Sequence, residues 1–570
     1  MEKVNWPVKK KLFESEKQDV IANLKRNWYF PISAMAFFFL SVSLSFEYFA
    51  GLLLAVTASI LISSRIPSIW AYARQSHMIV HVISILTAIG TCWNAKYLFY
   101  AIWRGYPKVQ ALENKLSIPF DLPAVVSIFS AAAALCFVYF CTLIFWKEMT
   151  RIIQKNRIFH DIAAAEYLVY GMLLIVFTIF MIAVFLKTDA FYSKGHFYNI
   201  IYSSDSPFLI SRNVYLNLVH TQNDLRQPLF AVFASPFAGI PYLLVRAFRL
   251  HPNALVTQAV LTNIIQIILL LAANFMLTRM MKLNAIKRIC FMVLTYCTYT
   301  TLLFTLMMEQ YIVAYFWLVF CMYLISENRR PERIALWGAG GTLLTSMVLL
   351  PFMSQKSPIK NFKEWFLDMV KYGLEFVALM LAFCRFDVIF NLKAQIFSFT
   401  SFTGQTVATS NKLFQYTAFI HNCFAAPKAG TVSVKDFSVS GESTFISWQL
   451  NPVSHLDIIG ILIFLLVIIS AILNRDKISS RFAAGWVGFS IVILFLLGWG
   501  TRENGLILYS LYFGWAFLVL LFQLVERIQD KLNVTFLLPV ISIGSAAVLT
   551  SVNLPSIREM IDFAIAYFPV

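Results

Sequence analysis

LFAVFASPFAGIPYLLVRAF, residues 229–248, is long and apolar enough to cross a bilayer, and its reading sets the sidedness of everything after it. If it crosses, the link RMMKLNAIKR (279–288), with four basic residues and no acid, is stranded outside the cell. If it lies in the membrane interface, that link and ENRRPER (327–333) both fall on the cytoplasmic side, as a positive-inside bias requires. Pro236, Gly239 and Pro241 also argue against a straight span. The expectation is a membrane-parallel amphipathic element, or at most a shallow dip.

The rest of the chain supports that frame. Its 570 residues are 59% hydrophobic and only 13% charged, about half the charged share of a soluble globule, and the mean hydropathy is +0.71. A net charge of +17 could suggest nucleic acid. The basic residues sit instead in short links between apolar runs, and no polar domain exists to grip a duplex. Seven of the eight cysteines lie in or beside apolar runs, Cys423 sits alone in a polar loop, and no CxxC pair appears. That supports neither a disulfide framework nor a zinc site.

A span takes about 20 apolar residues. Candidates fall at 28–46, 47–64, 79–103, 124–146, 167–186, 254–277, 289–306, 310–326, 371–390, 456–473, 482–500, 507–526 and 535–553. The expected fold is therefore all-α and polytopic, with about 13 transmembrane helices. The charged segment 1–27, which includes VKKKLFESEKQDVIANLKR, is expected in the cytoplasm without a cleavable signal. RIPSIWAYAR and KEMTRIIQKNR then also fall inside, and the span 167–186 delivers loop 187–228 to the extracytoplasmic face. Segment 334–353, with its paired glycines, calls for an even number of crossings, met by two half-helices or a re-entrant hairpin. The polar stretch 391–455 also falls outside. The natural division is a four-helix module at 28–160 and a core at 161–570.

Three polar clusters share that outer face. Loop 187–228 carries Asp189, His196, Asp205, Arg212, His220, Asp224 and Arg226; MEQY adds Glu309 and Gln310; TRENG adds Arg502, Glu503 and Asn504. Ionised groups at the mouth of a helical bundle are costly to desolvate and tend to pair or line a watery hollow. A carboxylate beside an acceptor hydroxyl can act as general base, and an arginine can hold a departing phosphate. Plainer roles stay open. Asp205 in SSDSP also reads as part of a helix cap, Asp224 as a turn residue, Arg226 as an interfacial anchor, and Arg502 with Glu503 as a mutual pair. His196 and His220 read as loop histidines, since no spaced partner supports a metal site.

One further feature narrows the chemistry. An acid-bearing outer loop runs into RQPLFAVFASPF, many helices follow, and a late turn reads WGTRENGLILYSLYFGWAF. Over roughly residues 165–553 this resembles the GT-C superfamily of integral membrane glycosyltransferases, in its bacterial polyprenyl-phosphate-sugar branch. The resemblance implies an inverting displacement with Asp205 as base. Arg226, Pro228, Leu229 and Phe230 match an Arg-containing "HPLF"-like motif, with Gln227 in place of the histidine. Two departures stand out: the acidic loop follows the fifth span rather than the first, and no DD or DE pair is present. The base is thus open between Asp205 and Asp224, and a divalent metal stays open with no other cofactor implied. Arg226, Arg212, Glu309, Arg502 and Glu503 are the substrate-binding candidates.

The expected function is transfer of a sugar from a polyprenyl-phosphate donor to a cell-envelope glycan, lipid or teichoic-type acceptor, at the outer face of a bacterial inner membrane. A transporter or lipid-linked glycan flippase is the first rival, although such proteins place polar groups through the bundle midplane. A non-catalytic partner in a glycan-assembly complex is the second.

Overall fold

The computed structural model describes residues 29–570 apart from 44–47, 64–65, 94, 117–118, 193–199, 203, 212, 218–224, 248–253, 329–330, 355, 357–358, 384–391, 428–430, 437–443 and 504. The protein is an all-α polytopic membrane protein with one small β-hairpin. It divides into two compact units: one runs up to Ile152 and includes Gly239–Ala247, and the other comprises Ile153–Ala238 and Phe248–Val570.

Among the described residues, eight helices are long and apolar enough to cross a membrane, or ten if two sharply bent pairs each count as one span. Nine of those ten correspond to expected spans, and the tenth is Phe230–Ala247. The expected count of thirteen is not confirmed among the described residues, where four of the expected spans correspond to helices that are short or charged. Tyr29–Ser43 has 15 residues, Tyr48–Ser63 has 16 and Ile458–Leu473 has 16. At about 1.5 Å per residue the described stretch of each is shorter than a hydrocarbon core of about 30 Å. Phe362–Phe383 is long enough but carries Lys363, Glu364, Asp368, Lys371 and Glu375. The expected span 79–103 also breaks. Met78–Cys92 makes a 119° bend with Ile66–Arg74, and the amphipathic AKYLFYAIWR starts a separate helix at Ala95.

Helix Phe230–Ala247 corrects the reading of its own prolines. It continues unbroken through Pro236 and Pro241. Gly239 serves close approach rather than a break. Within the smaller unit, a Cβ at Gly90 would lie 2.0 Å from the Gly239 carbonyl oxygen, and one at Gly239 would lie 2.9 Å from that of Thr87. Two helix backbones touch there, which only glycine permits. Gly90→Ala must push backbone apart, so it should cost about 1–3 kcal/mol or more. A thermal melt in detergent checks this, with Gly171→Ala, whose Cβ meets nothing within 4 Å, as the control that should not shift.

In the larger unit, segment 334–353 forms two short helices, Arg333–Thr342 and the 3-10 helix Leu344–Met353, broken at an extended Leu343. The expected span 289–306 is also broken, by 66°, between Ala285–Tyr296 and Tyr299–Leu306. The polar groups freed at that break are covered. Asn553 Nδ2 donates to the carbonyls of Cys297 and Phe424, both at 2.8 Å, and its Oδ1 accepts from the Ala426 amide at 2.7 Å. Polar loop 391–455 is more structured than its composition suggests. It contains helices Leu392–Ser401 and Thr409–Asn422 and an antiparallel hairpin of β1 (Thr431–Asp436) and β2 (Thr444–Gln449).

Candidate functional site

SSDSP leads into a six-residue helix, Ser206–Ser211, whose first bond runs from the Leu209 amide to the Asp205 carbonyl at 3.0 Å. Asp205 therefore takes the cap position, and its side chain is exposed. The approach to it is fixed by the hairpin. Tyr202, in a left-handed conformation (φ 51°), donates its amide to the Trp448 carbonyl at 2.8 Å, and the Trp448 amide donates to the Ile200 carbonyl at 2.6 Å. The Tyr202 hydroxyl meets that of Tyr299 at 2.7 Å and accepts from Trp448 Nε1 at 3.3 Å. The acid-bearing loop is thus pinned to β2 before Asp205 is reached.

Glu309 ends the turn before helix Gln310–Asn328 and is only 3% exposed. Its Oε1 accepts the Asp205 amide at 2.9 Å. A substrate cannot reach that carboxyl in this arrangement; it backs the Asp205 main chain instead. Burial pushes the Glu309 carboxyl well above the usual carboxylate range, and the neighbouring Asp205 carboxylate pushes the same way; the Asp205 and Gln310 amides pull partly against them. An acid whose pKa rises on folding holds its proton more tightly in the native state. Its stabilising contribution is full below the ordinary value of 4.5 and is lost as pH climbs through the native one. Glu309→Gln should therefore gain stability relative to wild type as pH rises from 4.5 toward the raised native value. Melts of both proteins between about pH 5 and 8 check this, and a constant gap counts against it.

Arg226 approaches from RQPLF. Its main chain is clamped to the broken segment: the Leu344 amide donates to the Arg226 carbonyl at 2.8 Å, and the Leu229 amide to that of Gly341 at 2.9 Å. The Arg226 guanidinium lies 4.4 Å above the Phe402 ring. Phe402 stacks on Trp499 at 5.6 Å, Trp499 Nε1 donates to the Tyr509 hydroxyl at 2.8 Å, and Tyr509 meets Tyr311 edge-on at 5.4 Å. Arg226 and Glu309 both act electrostatically on the Tyr311 hydroxyl, and Arg226 and Asp205 on that of Tyr509. Asp205, Glu309 and Arg226 thus share one neighbourhood with an aromatic wall.

That wall was not legible as part of a site. Aromatic residues are common throughout this apolar chain, and the one signal that could have singled out part of the wall is the pair of glycines flanking Trp499. Gly498 and Gly500 both adopt positive φ, at 64° and 77°, which turns the chain so that Trp499 points back at Phe402. Arg502 follows on the short turn Thr501–Glu503 and is exposed. The Thr501 carbonyl accepts from Gln415 Nε2 at 3.1 Å, which ties the turn to helix Thr409–Asn422. The other side of that helix borders an apolar cavity of about 340 Å³, lined by Leu413, Ile420, Leu456, Phe464, Ile491 and Phe495. Asp189 belongs elsewhere, with its amide donating to the Phe568 carbonyl at 3.1 Å. Arg212, Asp224, His196, His220 and Asn504 lie outside the described residues. Among the described residues no three His, Cys, Asp or Glu side chains gather as a metal site would require.

Comparison with known protein families, with curated proteins and with solved structures returns no match to this chain.

Proposed function

We propose that the protein is an inverting membrane glycosyltransferase, using a polyprenyl-phosphate sugar and a cell-envelope glycan, lipid or teichoic-type acceptor. The observation that carries this reading is the shared neighbourhood of an exposed carboxylate, Asp205, and a guanidinium, Arg226, beside an aromatic wall. In the reaction, Asp205 takes the proton of the acceptor hydroxyl as its oxygen bonds to the anomeric carbon. The bond from that carbon to the phosphate oxygen breaks, and the prenyl phosphate leaves with the electron pair. Arg226, with exposed Arg502 as a second candidate, stabilises the growing phosphate charge. Tyr311, Tyr509 and Trp499 offer ring faces and hydroxyls to a sugar. Asp224 and Arg212 remain candidates in the same loop, the first as an alternative base.

The donor's hydrocarbon has a place in this scheme. A cavity of about 150 Å³ already accommodates a benzene molecule. The apolar cavity beside helix Thr409–Asn422 has roughly twice that volume and takes part of the prenyl chain. For orientation, the basic links put the N-terminus and RMMKLNAIKR in the cytoplasm of a bacterial inner-membrane protein and the site outside it. The shorter apolar helices and Phe362–Phe383 complete about thirteen crossings, with Phe230–Ala247 lodged as a non-crossing element. Detergent-purified protein offered a panel of polyprenyl-phosphate sugars, with and without divalent cations, should release prenyl phosphate. No turnover with any donor would count against the reading. Labelling of a cysteine placed near position 200 from the cytosolic side alone would overturn the sidedness.

A further inference from the structure

Helix Ala254–Met280 is apolar for most of its length, yet it carries Gln258, Asn263 and Gln266 at near-helical spacing. Such amides are costly inside a membrane bundle unless they are put to use. All three reach the segments that build the site. Gln258 Nε2 donates to Asn213 Oδ1 at 2.8 Å, just beyond the Asp205-capped helix. Asn263 Nδ2 donates to the Thr305 carbonyl at 2.7 Å, just before the Glu309 turn. Gln266, 1% exposed, reaches the Glu309 turn itself: its Nε2 donates to the Glu309 carbonyl at 3.2 Å and to the Tyr215 hydroxyl, which in turn donates to the Glu309 carbonyl at 3.5 Å.

We propose that Gln266 is a positioning residue of the site, fixing Glu309 by its carbonyl so that the Glu309 side chain can hold the Asp205 main chain in place. The proposal rests on the glycosyltransferase reading only for what Asp205 does; the mechanical linkage stands on the hydrogen bonds. The line from Gln266 to Asp205 passes through two hydrogen bonds, and both Gln266 and Glu309 are buried. Gln266 touches no substrate, so its loss acts on the placement of the base and not on binding.

Gln266→Met keeps volume and removes both donors. The expected result is a ten- to hundredfold loss of kcat with KM changed less than twofold, measured with whichever sugar in the panel the wild type turns over. Glu309→Ala should lose as much, Glu309→Gln, which keeps the accepting oxygen, should recover most of it, and Gln266→Met should add little in the Glu309→Ala background. Additive losses, a raised KM, or no loss would overturn the proposal. If the wild type turns over no donor, the transferase reading fails by itself and the linkage is read another way. A cysteine at position 205 (Asp205→Cys, native cysteines replaced) is labelled with a small methanethiosulfonate reagent. Gln266→Met and Glu309→Ala should each change its rate at least threefold, and Glu309→Gln should not. Equal rates in all four proteins would refute the linkage.

Discussion

Asp205→Asn is expected to lower the proposed sugar transfer by roughly 10²- to 10⁴-fold, the range that a positioned general base contributes, and to leave KM for the donor nearly unchanged. The substitution keeps size, the main-chain cap to Leu209 and the amide held by Glu309, so the loop stays pinned to β2. What it removes is the proton acceptor. Loss of the base should also flatten the acidic limb of the pH–rate profile, because no carboxylate remains to be deprotonated as pH rises. Asp224→Asn is the companion variant: a loss confined to it would move the base to Asp224. Activity retained in both would remove aspartate catalysis in this loop altogether.

How much of this was written in the sequence depends on the range over which each feature is decided. Helix class and polytopic character are local and compositional, and they were legible. Where helices stop was less so, because hydropathy does not see a break such as the 66° one between Tyr296 and Tyr299 inside the expected span 289–306, whereas the division of segment 334–353 was signalled by its paired glycines. Pro236 and Pro241 do not interrupt helix Phe230–Ala247. Pro236 and Pro241 weaken a helix in isolation, but this one is packed along its first half, where Phe233 and Phe237 meet Trp317 at 5.4 and 6.4 Å. Tertiary contacts decided the matter. Asp205, Arg226 and Glu309 could be picked out as charges out of place in an apolar chain. The partnership of Asp205 with Glu309, 104 residues apart, could not, and neither could the wall from Phe402 to Tyr311. Gln266 was overlooked because an amide in an apolar helix carries no charge to flag it.

The basic link RMMKLNAIKR teaches the same lesson from the other direction and leads to the second large effect. As a string it is four cations without an acid. In the fold, Lys287 meets Glu526 at 2.7 Å, and Lys477 meets the other oxygen of that carboxylate at 2.9 Å. Arg288 forms a two-pronged pair with Glu166, Nε to Oε1 at 2.6 Å and Nη2 to Oε2 at 2.7 Å, and Glu166 is wholly buried. The four lone-pair sites of the carboxylate and four of the five guanidinium donors are used: Glu166 also accepts from the Ala163 amide and the Tyr170 hydroxyl, both at 2.9 Å, and Arg288 also donates to the carbonyls of Leu283 and Asp161. Such a pair adds little when compared with apolar residues of equal volume, but breaking it strands a buried charge and costs about 3–5 kcal/mol. Glu166→Gln should therefore lower the apparent Tm in detergent by several degrees and shorten the half-life at 37 °C, more than any exposed-pair variant such as Lys356→Gln, whose partner Glu364 is open to water. Replacing both partners, Glu166→Gln with Arg288→Met, should recover much of the loss, because no charge is then left buried without its counterpart. If the double variant is as unstable as the single one, the pair is holding its four other hydrogen-bond partners in place rather than neutralising a charge.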